Sequence, residues 1–166
     1  LAATGCDQTA ANAAAWAEGM RRLDEAVSTG RSFAFETTLG GHSVAARLKA
    51  ASSTHDVLMW FCGLASPELH IARVQGRVAA GGHAIPETKI RERWTASIAN
   101  LIALLPDLAE VRVFDNSASV ALGEPVPDPV PVAVIQRGRL IWPAGKDIAQ
   151  LALTPDWAKP VLGAGL

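Results

Sequence analysis

Residues Ser32 to His42 read SFAFETTLGGH, an aromatic and apolar run that turns abruptly into a carboxylate and two hydroxyls. The run predicts a strand over residues 33–38. A carboxylate directly behind FAF has to emerge at a sheet edge or be buried at a cost of several kcal/mol. The stretch therefore predicts a strand that delivers Glu36, Thr37 and Thr38 to the rim of a sheet.

On the amino-terminal side, Trp16, Met20, Leu23 and Val27 recur at helical spacing in a helix over residues 9–29 closed by Gly30. On the other side, SVAARLKAA (Ser43 to Ala51) predicts a short helix with Ser43 near its cap, and VLMWFC (Val57 to Cys62) a strand buried on both faces. SPELHIARVQGRVAAGG carries Ser66 as a cap, Pro67 at the first helical position, Glu68 in the first turn, and Gly81 and Gly82 as a stop. IPETKIRERWTASIANLIALL has Pro86 near its start and Ile90, Trp94, Ile98, Leu101 and Leu105 along one stripe. EVRVF (Glu110 to Phe114) predicts a third strand. Strands alternating with helices imply crossover connections, and so an α/β fold with a parallel sheet and helices on both faces. Beyond Ser117, the proline-rich GEPVPDPVPV does not suit a central strand. A hairpin around Gln136 to Arg139 and a last short helix opening near Thr154, Pro155 and Asp156 follow.

The 166 residues, 49% hydrophobic, suffice for one domain with a real core. Fifteen Lys and Arg against sixteen Asp and Glu leave a net charge of -1, which gives no global field for nucleic acid, so anion binding has to be local. Cys6 and Cys62 lack CxxC partners, which argues against a metal site or disulfide framework and for a reducing, cytoplasmic setting. The longest apolar run, VLMWFCGLA, is less than half a membrane span, and no membrane partner is expected. The chain opens on LAATGC without a methionine, which suggests a fragment or a processed product. Trp16, Trp60 and Trp94 lie on apolar stripes and read as core.

Open α/β sheets bind ligands beyond the carboxyl ends of their strands. Glu36, Thr37 and Thr38 end one strand, Ser66 follows another as an ordinary cap, and Asp115, Asn116 and Ser117 end the third. Basic residues gather around the glycine turn: Arg73 and Arg77 four apart on one helix, Lys89 and Arg93 four apart on the next, with Arg91 between. Guanidinium forks suit phosphate, and a hinge at AGGHAIP would let them close on it; a solvated helix face paired with Glu87 and Glu92 fits the same pattern equally well.

SFAFETTLGGH, SPELHIARVQGRVAAGGHAIPETKIRERW and FDNS, taken in that order, resemble the zeta-toxin family of P-loop kinases over about Leu1 to Ser117. The resemblance implies a P-loop-kinase-like α/β fold missing its first strand and phosphate loop. It divides the chain into residues 1–125, the carboxyl-terminal portion of the kinase domain, and residues 126–166, an extension packed on it. It also implies an ATP- and Mg²⁺-dependent small-molecule kinase whose toxin branch phosphorylates UDP-N-acetylglucosamine, with an antitoxin protein as partner. Carried over, Glu36, Thr37 and Thr38 are substrate-side residues, Arg77, Arg91 and Arg93 are lid residues facing the transferred phosphate, and Asp115 and Asn116 lie in the nucleotide-base loop. His83 belongs to the lid motif but reads as a residue that shapes the turn.

No GxxxxGK[ST] occurs in these residues, and the family's catalytic Asp precedes the matching segment. Phosphoryl transfer depends on that loop, its lysine and Mg²⁺, so this chain is expected to be a poor kinase or none and to hold ATP and Mg²⁺ only weakly. Two further readings stand beside it. One is a non-catalytic nucleotide-sugar-binding or protein-interaction module; the other is a homo-oligomer that pairs through an open sheet edge.

Overall fold

A computed structural model describes residues 8–120, 125 and 127–166. Cys6 and the LAATGC opening lie outside them, as do parts of the proline-rich stretch. Helix α1 (Gln8–Thr29) ends at Gly30, whose φ of +66° closes it in the left-handed region. Helix α2 spans His42–Ala51 and is preceded by Gly41 with no side-chain cap, so Ser43 does not play the part expected of it. Strand β1 (Leu58–Gly63), helix α3 (Pro67–Ala79), helix α4 (Glu87–Leu104) and strand β2 (Glu110–Asp115) follow. The Ser66 hydroxyl accepts from the Leu69 amide at 3.2 Å, as the cap pattern required.

Strands β3 (Val130–Gln136) and β4 (Arg139–Trp142) complete a four-stranded sheet in the order β1-β2-β3-β4. The hairpin forms where expected, with Arg137 and Gly138 both at positive φ in its two-residue turn. Three expectations fail. The sheet is mixed: β1 and β2 run parallel, but β2–β3 and β3–β4 are antiparallel, the last pair being joined by the hairpin. The proline-rich stretch contributes Val130 to Val132 to β3, an interior strand, and Pro131 is tolerated there because it sits at a register irregularity opposite Phe114. Residues 33–38 are not a strand in this sheet; they have no regular secondary structure, are mostly exposed and have no ladder partner.

The core lies on one face of the sheet. Met20 and Leu23 from α1, Val44 and Leu48 from α2, and Leu101, Leu104 and Leu105 from α4 pack with Val111 and Val113 of β2 and Ile135 of β3. The carboxyl-terminal segment joins the same cluster through Trp157, in a 3-10 turn (Asp156–Ala158), and through Val161 and Leu162 of α6 (Lys159–Gly165). Before them, a short helix α5 (Ile148–Ala152), capped by Asp147 on the Gln150 amide, falls where no helix was expected.

Among the described residues, helices do not cover the other face. Trp60, Arg112, Val134 and Trp142 are in register across the four strands and form a row on it. Trp60 is 75% exposed and Leu58 is 68% exposed, so β1 is not buried on both sides. Its alternating burial is the mark of a strand with one face on the core. Trp60 is therefore not core, and neither is Trp16, which is 50% exposed on α1; Trp94 does pack against the core. No helix among the described residues is long and apolar enough to cross a membrane.

Candidate functional site

Four segments meet beyond the carboxyl ends of the parallel pair β1 and β2. The Ser117 hydroxyl accepts from the Ala65 amide at 2.8 Å and donates to Asp115 Oδ1, while the Asn116 amide donates to the Gly63 carbonyl at 2.9 Å. These bonds tie the loop after β2 to the loop after β1, from which α3 starts. The Arg73 guanidinium then reaches the Ala118 carbonyl at 2.9 Å and fastens the same loop to α3. Trp94 donates its indole N–H to the Leu64 carbonyl at 3.1 Å, which sets the Arg93 turn of α4 beside the end of β1.

The loop that carries Glu36, Thr37 and Thr38 comes to the same place by a different route from the one expected. Leu39 is buried with φ of +50°, and its carbonyl accepts from the Nδ2 of Asn100, a buried polar residue of α4, at 2.8 Å. Thr37 Oγ1 accepts from the Leu39 amide at 3.1 Å and braces the turn. Gly40 then lies flat on Arg93: a Cβ there would come within 2.8 Å of the Arg93 Cγ and 3.2 Å of its Cα. Asn100 and Arg93 are seven residues apart, hence on one side of α4, and the loop runs along that side. Glu36 and Thr38 are exposed.

The candidate arginines separate into two kinds. Arg91 is engaged: its guanidinium bonds Glu68 Oε1 at 2.5 Å, and this contact holds the Glu68 carboxyl below the ordinary carboxylate range. Arg77 and Arg93 pair with no carboxylate among the described residues. They belong to the basic group that the sequence gathers around the glycine turn, in which His70 was not singled out. Burial, and then the charges of Arg77, Arg73 and Arg93, push the His70 imidazole below its usual pKa. The turn that follows α3 is pinned under Arg77, where the Gly82 amide donates to the Arg77 carbonyl at 2.9 Å and a Cβ at Gly82 would come within 2.8 Å of the Arg77 Cγ. His83 is exposed, and the glycines make the turn.

Asp115 does more structural work than the sequence implied, because its Oδ1 also accepts from the Trp157 indole at 3.0 Å. Asn116 stands half-buried beside it. A cavity of about 270 Å³ lies between α1 and α2, and one of about 360 Å³ lies under the α3–α4 turn around Ile71, Val74 and Ile90. Neither is lined by Glu36, Arg77 or Arg93.

The sequence contains no glycine-rich loop ending in Lys-Ser/Thr, and among the described residues no three His, Cys, Asp or Glu form a group that could hold a metal ion. Cys62 is free and exposed.

No family model matches the chain, and no solved structure matches it. A protein of Haemophilus influenzae, described only as an uncharacterized protein, is 35% identical over 63 residues. These are 37% of this chain, which spans under half, 45%, of that relative.

Proposed function

We propose that this chain forms the acceptor side and lid of a zeta-toxin-like small-molecule kinase, and that its residues bind a phosphorylated metabolite without themselves transferring a phosphoryl group. UDP-N-acetylglucosamine is the candidate ligand. The observation that carries the reading is the seating of Gly40 on Arg93, which lays the FETT loop along the same helix side as a guanidinium that has no carboxylate partner. The described residues give Arg77 no carboxylate partner either, and Arg73 bonds the Ala118 carbonyl.

In this reading the arginines bind the diphosphate by charge and by forked hydrogen bonds, and Glu36 with Thr37 and Thr38 takes the hydroxyls of the acceptor. The phosphate loop, its lysine and the general base are not among these residues, so no transfer step is assigned to them. An antitoxin partner and a cytoplasmic setting belong to the same proposal.

A second reading, a non-catalytic interaction module, is favoured by one observation: the uncovered row Trp60, Arg112, Val134 and Trp142 on the sheet. An exposed apolar surface of this kind marks contact sites in soluble proteins.

Amide-resolved magnetic resonance titration tests the proposal. UDP-N-acetylglucosamine should shift signals from residues 36–41, Arg77 and Arg93, with no phosphorylated product on adding ATP and Mg²⁺. A titration that leaves those signals in place, or that moves only Trp60 and Trp142, refutes it.

A further inference from the structure

We propose that His70 is the proton-taking member of this arginine cluster: when a diphosphate diester or another dianion settles between Arg77 and Arg93, the imidazole binds a proton from solvent and donates an N–H to the ligand. This rests on the reading of the cluster as a phosphate site and adds a residue and a pH dependence to it.

The geometry begins with spacing. His70, Arg73 and Arg77 stand at positions i, i+3 and i+7 of α3, which places them on one side of that helix. Arg93 belongs to α4, the helix packed against it, in a turn that the Trp94 indole holds to the Leu64 carbonyl ahead of α3. The half-buried ring hydrogen-bonds to nothing among the described residues, so both nitrogens are available. The charged groups that act on it are Arg77 and Arg73 from its own helix and Arg93 from the facing one, with no carboxylate acting on it from either. Three like charges and partial burial oppose protonation while the cluster is empty. A bound dianion reverses the sign of that field, so ligand and proton bind cooperatively, and each favours the other by the same factor.

The test uses ligands that do not titrate between pH 5.5 and 7.5: sulfate, a simple dianion, and UDP-N-acetylglucosamine, whose diphosphate is a diester. Calorimetry in buffers of different ionisation enthalpy counts the protons taken up, and the His70 ring signals report its protonation. Binding should weaken from pH 5.5 to 7.5 with proton uptake, by about tenfold for each pKa unit by which the ligand raises His70. His70→Gln should bind as wild type does at pH 7.5 and show no such dependence, while Arg77→Ala and Arg93→Ala should weaken binding at every pH. If binding does not depend on pH, or His70→Gln keeps the wild-type dependence, the role of His70 is overturned and the arginine site stands. If sulfate binds with proton uptake and the nucleotide sugar does not bind, the role of His70 holds and the nucleotide-sugar reading falls. If neither ligand binds at any pH, both are refuted.

Discussion

The indole of Trp157 lies over Gly63, so that a Cβ on that glycine would fall within the ring, and the same indole donates its N–H to Asp115 at the end of the neighbouring strand. A residue from the last turns of the chain thus closes the carboxyl ends of β1 and β2, the edge at which the candidate site stands. Trp157 is 5% exposed and also packs against Phe61, with ring centroids 6.1 Å apart.

Gly63→Ala should destabilise the fold, because the added methyl has only a rigid, buried ring to push against; overpacking of this kind costs about 1–3 kcal/mol. Chemical denaturation measures it. Adding Trp157→Phe, which thins the ring system, should recover part of the loss.

Trp60→Lys should leave stability within about 0.5 kcal/mol of wild type, as surface substitutions do, since the side chain stands on the uncovered face. A melting curve displaced by many degrees would place Trp60 in the core after all.

Asn100→Ala should cost about 1–3 kcal/mol, because it leaves the buried Leu39 carbonyl without its donor, and it should also loosen the loop that carries Glu36 to Gly40. Amide exchange at residues 37–41 should accelerate more than exchange in β2.

Arg91→Ala should weaken binding of UDP-N-acetylglucosamine much less than Arg93→Ala or Arg77→Ala, because Arg91 is already committed to Glu68 whereas the other two are unpaired. Calorimetry on the three variants gives the order. Glu36→Gln and Arg77→Ala, both at exposed positions, should leave the melting temperature nearly unchanged.

His70 sets a pH dependence of stability whose sign follows from its lowered pKa. The unfolded chain holds more protons on this imidazole than the folded one, so its contribution opposes folding in acid, and the opposition fades as pH rises from the folded pKa through the ordinary value near 6.5. His70→Gln should therefore lose less stability than wild type between pH 7.5 and 5.5 in denaturation experiments.

The sequence announced most helices and β2 through features that act locally: the Ser66 and Pro67 start, the Gly30 and Gly81 stops, and the Ile90-to-Leu105 stripe each fix a short stretch on their own. What it hid depended on distant partners. Phe33 and Phe35 alternate as a strand would, yet a strand exists only where a neighbour supplies a ladder; here the rings stack on each other at 5.8 Å and the segment joins no sheet. Trp60 reads as core because it sits in an apolar run, and period-two alternation within an all-apolar segment does not tell which face is covered. At the site, Arg77 and Arg93 were legible from charge and spacing. His70 was not, because its meaning depends on Arg93 approaching from another helix, and Asn100 was masked by the apolar stripe around it.

Strand β1 has β2 on one side and no strand on the other among the described residues, while its inward residues Met59 and Phe61 rest on the centre of the molecule. The same six residues therefore join partly buried side chains that rest on the core to half a row of amides without a strand partner. Deuterium should enter β1 at alternating positions, quickly where the N–H points outward and slowly where it faces β2, a tooth-and-gap record of how far the sheet extends.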